Sequence, residues 1–91
     1  MTNHTADLLY ALRRTLETAG IDALLIYGSD TAAAARVANP DDTSRAIGAL
    51  DLDYVDQWVD DQRRTVAEGL WTFRGRRAVV TLYGPEKKVS E

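Results

Sequence analysis

Few residues in this chain could do chemistry. His4 is the one histidine and cysteine is absent, which removes the usual zinc clusters and all thiolate or disulfide chemistry. The serines are Ser29, Ser44 and Ser90, and none lies in the G-x-S-x-G turn that exposes a hydrolase nucleophile. Pairing Ser29 with His4 would need the fold to bring two unrelated segments together. Carboxylates are more plentiful. Asp51, Asp53, Asp56, Asp60 and Asp61 could offer oxygens to Mg²⁺ or Ca²⁺, but their spacing is not that of an EF-hand loop. The same residues suit the start of a helix, with an i,i+4 ion pair from Asp60 to Arg64.

Two other stretches invite a binding role. Gly28-Ser29-Asp30 joins an apolar run to an alanine-rich one, and a helix starting there would turn free N–H groups toward an anion. With one glycine, no lysine and the wrong charge on Asp30, the better reading is a capped turn. The order helix, strand, Gly28-Ser29 and then Asp51-x-Asp53 resembles the minimal nucleotidyltransferases over the first half of the chain. That resemblance implies a metal held between Gly28-Ser29 and Asp51 with Asp53. The sequence departs from it in separating the two pieces more widely and in placing the Asp-x-Asp at a helix start. The second stretch, Arg74-Gly75-Arg76-Arg77, lies near Trp71 and Phe73 and could grip nucleic-acid phosphates. Against that, the chain is acidic, with a pI of about 5.0, and a core needs both rings.

The elements that would position these residues follow from periodicity. Leu8, Leu9, Leu12, Leu16 and Ala19 line one face of a helix over 6–19, with Thr5 as N-cap, Gly20 as left-handed cap and Ile21 folding back on Leu16. An apolar run predicts a strand over 22–28. Four alanines predict a helix over 31–38, capped by Ser29 or Asp30 and ended by Asn39-Pro40. Residues 41–50 read either as an irregular loop or as a single turn capped by Asp42, with Ala46 and Ile47 inward and Gly48 ending it. Leu52, Val55, Trp58, Val59 and Val66 recur at helical spacing, opposite Asp53, Asp56, Asp60 and Arg64. They predict a helix over 52–68, capped by Asp51 and closed by Gly69, with Trp58 buried.

A hairpin over 70–83 completes the chain. A two-residue turn at Arg74-Gly75 sets Phe73 opposite Arg76 and Trp71 opposite Ala78, gathering Trp71, Phe73, Ala78, Val80 and Leu82 on one face. Gly84-Pro85 stops the last strand, and a polar tail runs from about 86. The expected fold is α+β: a three-stranded sheet (22–28 beside the last strand of the hairpin 70–83) packed by helices over 6–19, 31–38 and 52–68.

The 91 residues fit a single domain over 1–91, and 45% apolar content suffices for a core. The longest apolar run, Ala23 to Tyr27, is too short to cross a bilayer, and the first residues lack the pattern of a signal peptide. A cytoplasmic protein with no membrane partner is expected. The net charge is −3, unevenly placed: residues 41–61 carry seven aspartates and one arginine, whereas residues 63–88 are mostly basic in their charges, from Arg63 to Lys88, a split that favours steering of a partner or self-association into a homodimer. The function expected is a small non-catalytic protein-binding module, a regulator or inhibitor that occupies a partner's surface, with no cofactor and no bound metal. Its contact residues would be Asp53, Asp56, Asp60 and Asp61, then Arg74, Arg76 and Arg77. The alternatives are a metal-dependent nucleotidyltransferase-like domain using Gly28, Ser29, Asp51 and Asp53, and a nucleic-acid binder using the basic hairpin turn.

Overall fold

Small residues decide how this chain packs. A computed structural model describes residues 4–29, 31–39 and 41–85, with side chains from Asp7 onward; the expected polar tail lies outside the described residues. The elements are α1 (His4–Thr18), β1 (Ala23–Gly28), β2 (Ala32–Val37), α2 (Asp42–Leu50), β3 (Asp53–Val59), β4 (Thr65–Phe73) and β5 (Arg76–Tyr83). They form an α+β fold whose mixed five-stranded sheet runs in the order β1-β2-β5-β4-β3. Only β2 and β5 pair in parallel; the other neighbours are antiparallel.

The sheet is thus larger than the three strands expected. The helix predicted over 31–38 is strand β2, which separates β1 from the last strand. Ala33, Ala34 and Ala35 are fully buried there. Alanine favours a helix only weakly, and the slot between β1 and β5 overrides that preference. The helix predicted over 52–68 is also absent: this stretch forms β3, a turn and the start of β4. Its helical spacing comes from an irregular register between Asp53 and Asp56, where Tyr54 takes a positive φ of 53°. That bulge breaks the strict alternation of a strand and leaves a pattern that looks like threes and fours.

The segment 41–50, read as a loop or a single turn, is instead α2. It runs through Gly48 and ends at Asp51, which takes the left-handed conformation (φ 55°, ψ 52°) normally given to glycine. The end of α1 follows expectation. Gly20 has φ 75°, and the N–H groups of Gly20 and Ile21 donate to the carbonyls of Glu17 and Leu16, each at 2.9 Å. The hairpin also keeps its predicted register, with Phe73 opposite Arg76 and Trp71 opposite Ala78.

Both helices lie on one face of the sheet. Leu8, Leu12 and Leu16 of α1, with Ala46 and Leu50 of α2, close over Ala33, Ala35 and Val37 of β2, Ala67 and Trp71 of β4, and Ala78, Val80 and Leu82 of β5. Trp71 stacks on Phe73 at the rim, with ring centroids 5.2 Å apart. Arg45 ties the helices together. Its guanidinium donates to the Ala19 carbonyl at the end of α1 and to the buried Asp42 carboxylate, both at 2.7 Å. It therefore supplies the positive charge that the last turn of α1 lacks.

Gly69, expected to end a helix, lies mid-strand in β4 because another segment crosses it closely. A Cβ there would meet Leu52 Cβ at 2.9 Å and the Asp53 carbonyl oxygen at 3.0 Å. Gly69→Ala is therefore expected to cost about 1–3 kcal/mol in chemical denaturation, by pushing the entry of β3 off the sheet. Thr43 predicts the opposite sign. Its hydroxyl is buried with no hydrogen-bond partner among the described residues, so Thr43→Val should raise stability by about 1 kcal/mol in the same assay.

Candidate functional site

The face of the sheet turned away from the helices carries no covering element among the described residues. The register arranges its side chains in rows. One row runs Leu24, Arg36, Tyr83, Val66, Trp58 from β1 to β3; the next runs Tyr27, Ala34, Thr81, Glu68, Asp56. Leu24 is 61% exposed, Tyr27 53% and Trp58 44%. Leu24 and Tyr27 stand at the β1 edge of this face and Trp58 at the β3 edge, with Ala34, Thr81 and Val66 buried between them. Trp58, expected in the core, lies on this face instead, because β3 is an edge strand with no helix over its outer side.

The acidic and basic residues singled out in the sequence do not form one surface. Asp53 and Asp56 belong to edge strand β3, while Asp60 and Asp61 belong to the turn that joins it to β4. Arg74, Arg76 and Arg77 lie at the opposite end of the hairpin, the length of β4 away, on the order of 30 Å. Arg74 covers the Phe73 ring at 5.1 Å. Asp56 stands directly across from Glu68, a residue the sequence reading passed over. Like charges facing across two strands are costly. Thr81 Oγ1 donates to Glu68 Oε2 at 3.1 Å, which holds one carboxylate of the pair but leaves the charge.

Asp60 serves its own turn. Its carboxylate accepts from the Arg64 backbone N–H at 2.9 Å, the Gln62 N–H at 3.0 Å and Arg64 Nε at 2.8 Å. The ion pair expected between Asp60 and Arg64 is present, built on a turn rather than on a helix. Arg64 then spreads over the Tyr83 ring, 4.9 Å from its centroid, and so props up the open face beside Trp58. Burial raises the Asp60 pKa, but the hydrogen bonds and charge of Arg64, with the Gln62 N–H, outweigh it and hold the group below 3.8.

Ser29 and the Asp51-x-Asp53 pair, which a nucleotidyltransferase would bring together, lie at opposite edges of the sheet. Ser29 follows β1 and Asp53 opens β3. The Ser29 hydroxyl accepts from the N–H groups of Thr31 and Ala32 at 3.3 and 3.2 Å. It caps a turn as its sequence suggested, though the turn joins two strands and starts no helix. Among the described residues no three His, Cys, Asp or Glu side chains gather as a metal site, and no helix is long and apolar enough to cross a membrane. The His4 side chain lies outside the described residues.

Comparison with known protein families, curated proteins and solved structures found no match. The signal in the sequence that could have exposed Trp58 is the β-branched and aromatic content around it: Tyr54, Val55, Trp58, Val59, Thr65 and Val66 favour strands over helices.

The Asp60 turn gives a pH prediction. Its lowered pKa means that the stability it contributes is present above the unfolded carboxylate value and is lost as pH falls through the folded one. In melting curves taken across the acid range, the advantage of the wild type over Asp60→Asn should shrink as pH drops below 3.8. A constant gap would mean that the ion pair does not stabilise the turn.

Proposed function

We propose that this chain is a non-catalytic protein-binding module whose contact surface is β3 and the open face beside it. Trp58 is the anchor, with Tyr54, Asp53, Asp56 and Glu68 around it. The observation that carries this reading is a half-exposed tryptophan next to two carboxylates that face each other across the sheet. A basic side chain from a partner would relieve that repulsion, and the indole would supply apolar area and a ring face for the same cation. Tyr54, 81% exposed, extends the apolar area along the edge. The partner that fits is a protein surface presenting Lys or Arg among apolar residues. Such a module acts by covering that surface, as a regulator or inhibitor does.

Of the seven residues named from the sequence, Asp53 and Asp56 stay in this surface and Asp61 lies exposed at its end. Asp60 is committed to its turn. Arg74, Arg76 and Arg77 form a separate patch at the far end of the hairpin.

The test uses the partner that the wild-type chain captures from its native host. Trp58→Ala should weaken binding by about 2 kcal/mol, or some 30-fold, while changing the stability of the free protein by less than about 1.5 kcal/mol. Asp56→Lys should also weaken binding, and added salt should reduce the wild-type affinity. Undiminished binding by both variants would overturn the assignment of this surface.

A further inference from the structure

Among the described residues the sheet has two free edges, and they differ in kind. β3 carries Asp53 and Asp56 and an irregular register between them, devices that repel a second identical edge. β1 reads Ala-Leu-Leu-Ile-Tyr-Gly, with no charge and no proline. Leu24, Ile26 and Tyr27 leave 61%, 50% and 53% of their surface exposed. At the start of this strand, on the open face, lies a cleft of about 340 Å³ lined by Asp22, Leu24, Arg36, Val37, Ala38 and Pro85. We infer that β1 pairs antiparallel with β1 of a second copy of this chain, and that Ile26 and Tyr27 of each copy fill the cleft of the other.

The backbone fixes one register for this pairing. The Ala38 N–H donates to the Asp22 carbonyl at 2.9 Å. Alternation along the β1–β2 register then turns the amides of Leu24 inward to Arg36 and those of Ala23 and Leu25 outward to the edge. Two copies satisfy these outward groups when Ala23 of each meets Leu25 of the other, which places Leu24 on the two-fold axis. In that register Ile26 lies across from Asp22 of the second copy, and Tyr27 reaches over its cleft with the phenol toward Asp22 and Arg36. The irregularity of β1 falls at Ile26, between Leu25 and Tyr27, beyond the Ala23 and Leu25 amides that make the hydrogen bonds of the pairing. The contact closes on itself, so it yields a dimer with a continuous sheet rather than a filament. The buried area is on the order of 1,000 Å², at the lower end for specific interfaces, so the dimer should be concentration-dependent.

This surface lies at the opposite edge from the partner surface proposed above, so either can fail alone. The chain has no cysteine, which makes the axis directly testable. Leu24→Cys should form a disulfide-linked dimer under mild oxidation, because facing residues of a non-hydrogen-bonded pair meet the geometry of the bond. Val59→Cys, 66% exposed on the other edge, should not. Sedimentation equilibrium should show a wild-type dimer whose Kd rises about 10-fold or more in Leu24→Lys, which loses apolar burial and sets two like charges together. Tyr27→Ala, checked for native circular dichroism, should weaken it as well, whereas Val59→Lys should leave it unchanged. A wild-type chain that stays monomeric up to about 1 mM, cross-linking of Leu24→Cys no faster than Val59→Cys, or a dimer indifferent to both Leu24→Lys and Tyr27→Ala would overturn the proposal.

Discussion

The structure depends on how closely two helices approach one face of the sheet. Ala33, Ala35, Ala67 and Ala78 hold that face almost bare, and the absence of a side chain at Gly69 lets the chain leaving α2 cross β4. Leu8, Leu12, Leu16 and Leu50 occupy the space so created. The leucines of the helices thus pack over the alanines of the strands, with Trp71, Val80 and Leu82 of β4 and β5 filling the space beside them. This packing also uses up the apolar side chains of the helices on one side. Nothing described remains to cover the other face, where Leu24, Tyr27 and Trp58 stand in the open.

What could be read from the sequence depended on whether local pattern and tertiary setting agreed. Helix α1 was legible because its leucines, Gly20 and Ile21 all point to the same element. The hairpin register was legible because a two-residue turn separates apolar from polar side chains cleanly. β2 was not, since four alanines carry a helical preference that only its position between two strands can reverse. β3 was not, since the bulge at Tyr54 disguises the alternation of a strand. α2 is hard to see in the sequence because Asp51, not glycine, ends it.

The binding residues show the same division. Asp53, Asp56, Asp60 and Asp61 were visible as a charge cluster, but their roles follow from pairings that the wrong element had hidden. On a helix, Asp53 and Asp56 would share a solvated flank. On β3, Asp56 meets Glu68, and the two carboxylates become a source of repulsion on the exposed face. The Asp60–Arg64 pair survived the change of backbone because a tight turn and a helical turn both bring residues four apart together. The arginines at the hairpin tip were located correctly along the chain, but the length of β4 removes them from the acidic end.

The parallel seam between β2 and β5 has a kinetic meaning. α1 with the β1–β2 hairpin is assembled from residues near in the chain, and so is the run β3-β4-β5. In the sheet the two units touch through this one pairing, whose partners are separated by α2 and two strands. Closing that gap costs loop entropy before any contact repays it. Among the strand pairings of the sheet this is the one with the longest loop to close, and a chain in which it stayed open would expose β2 and β5 as two further unpaired edges.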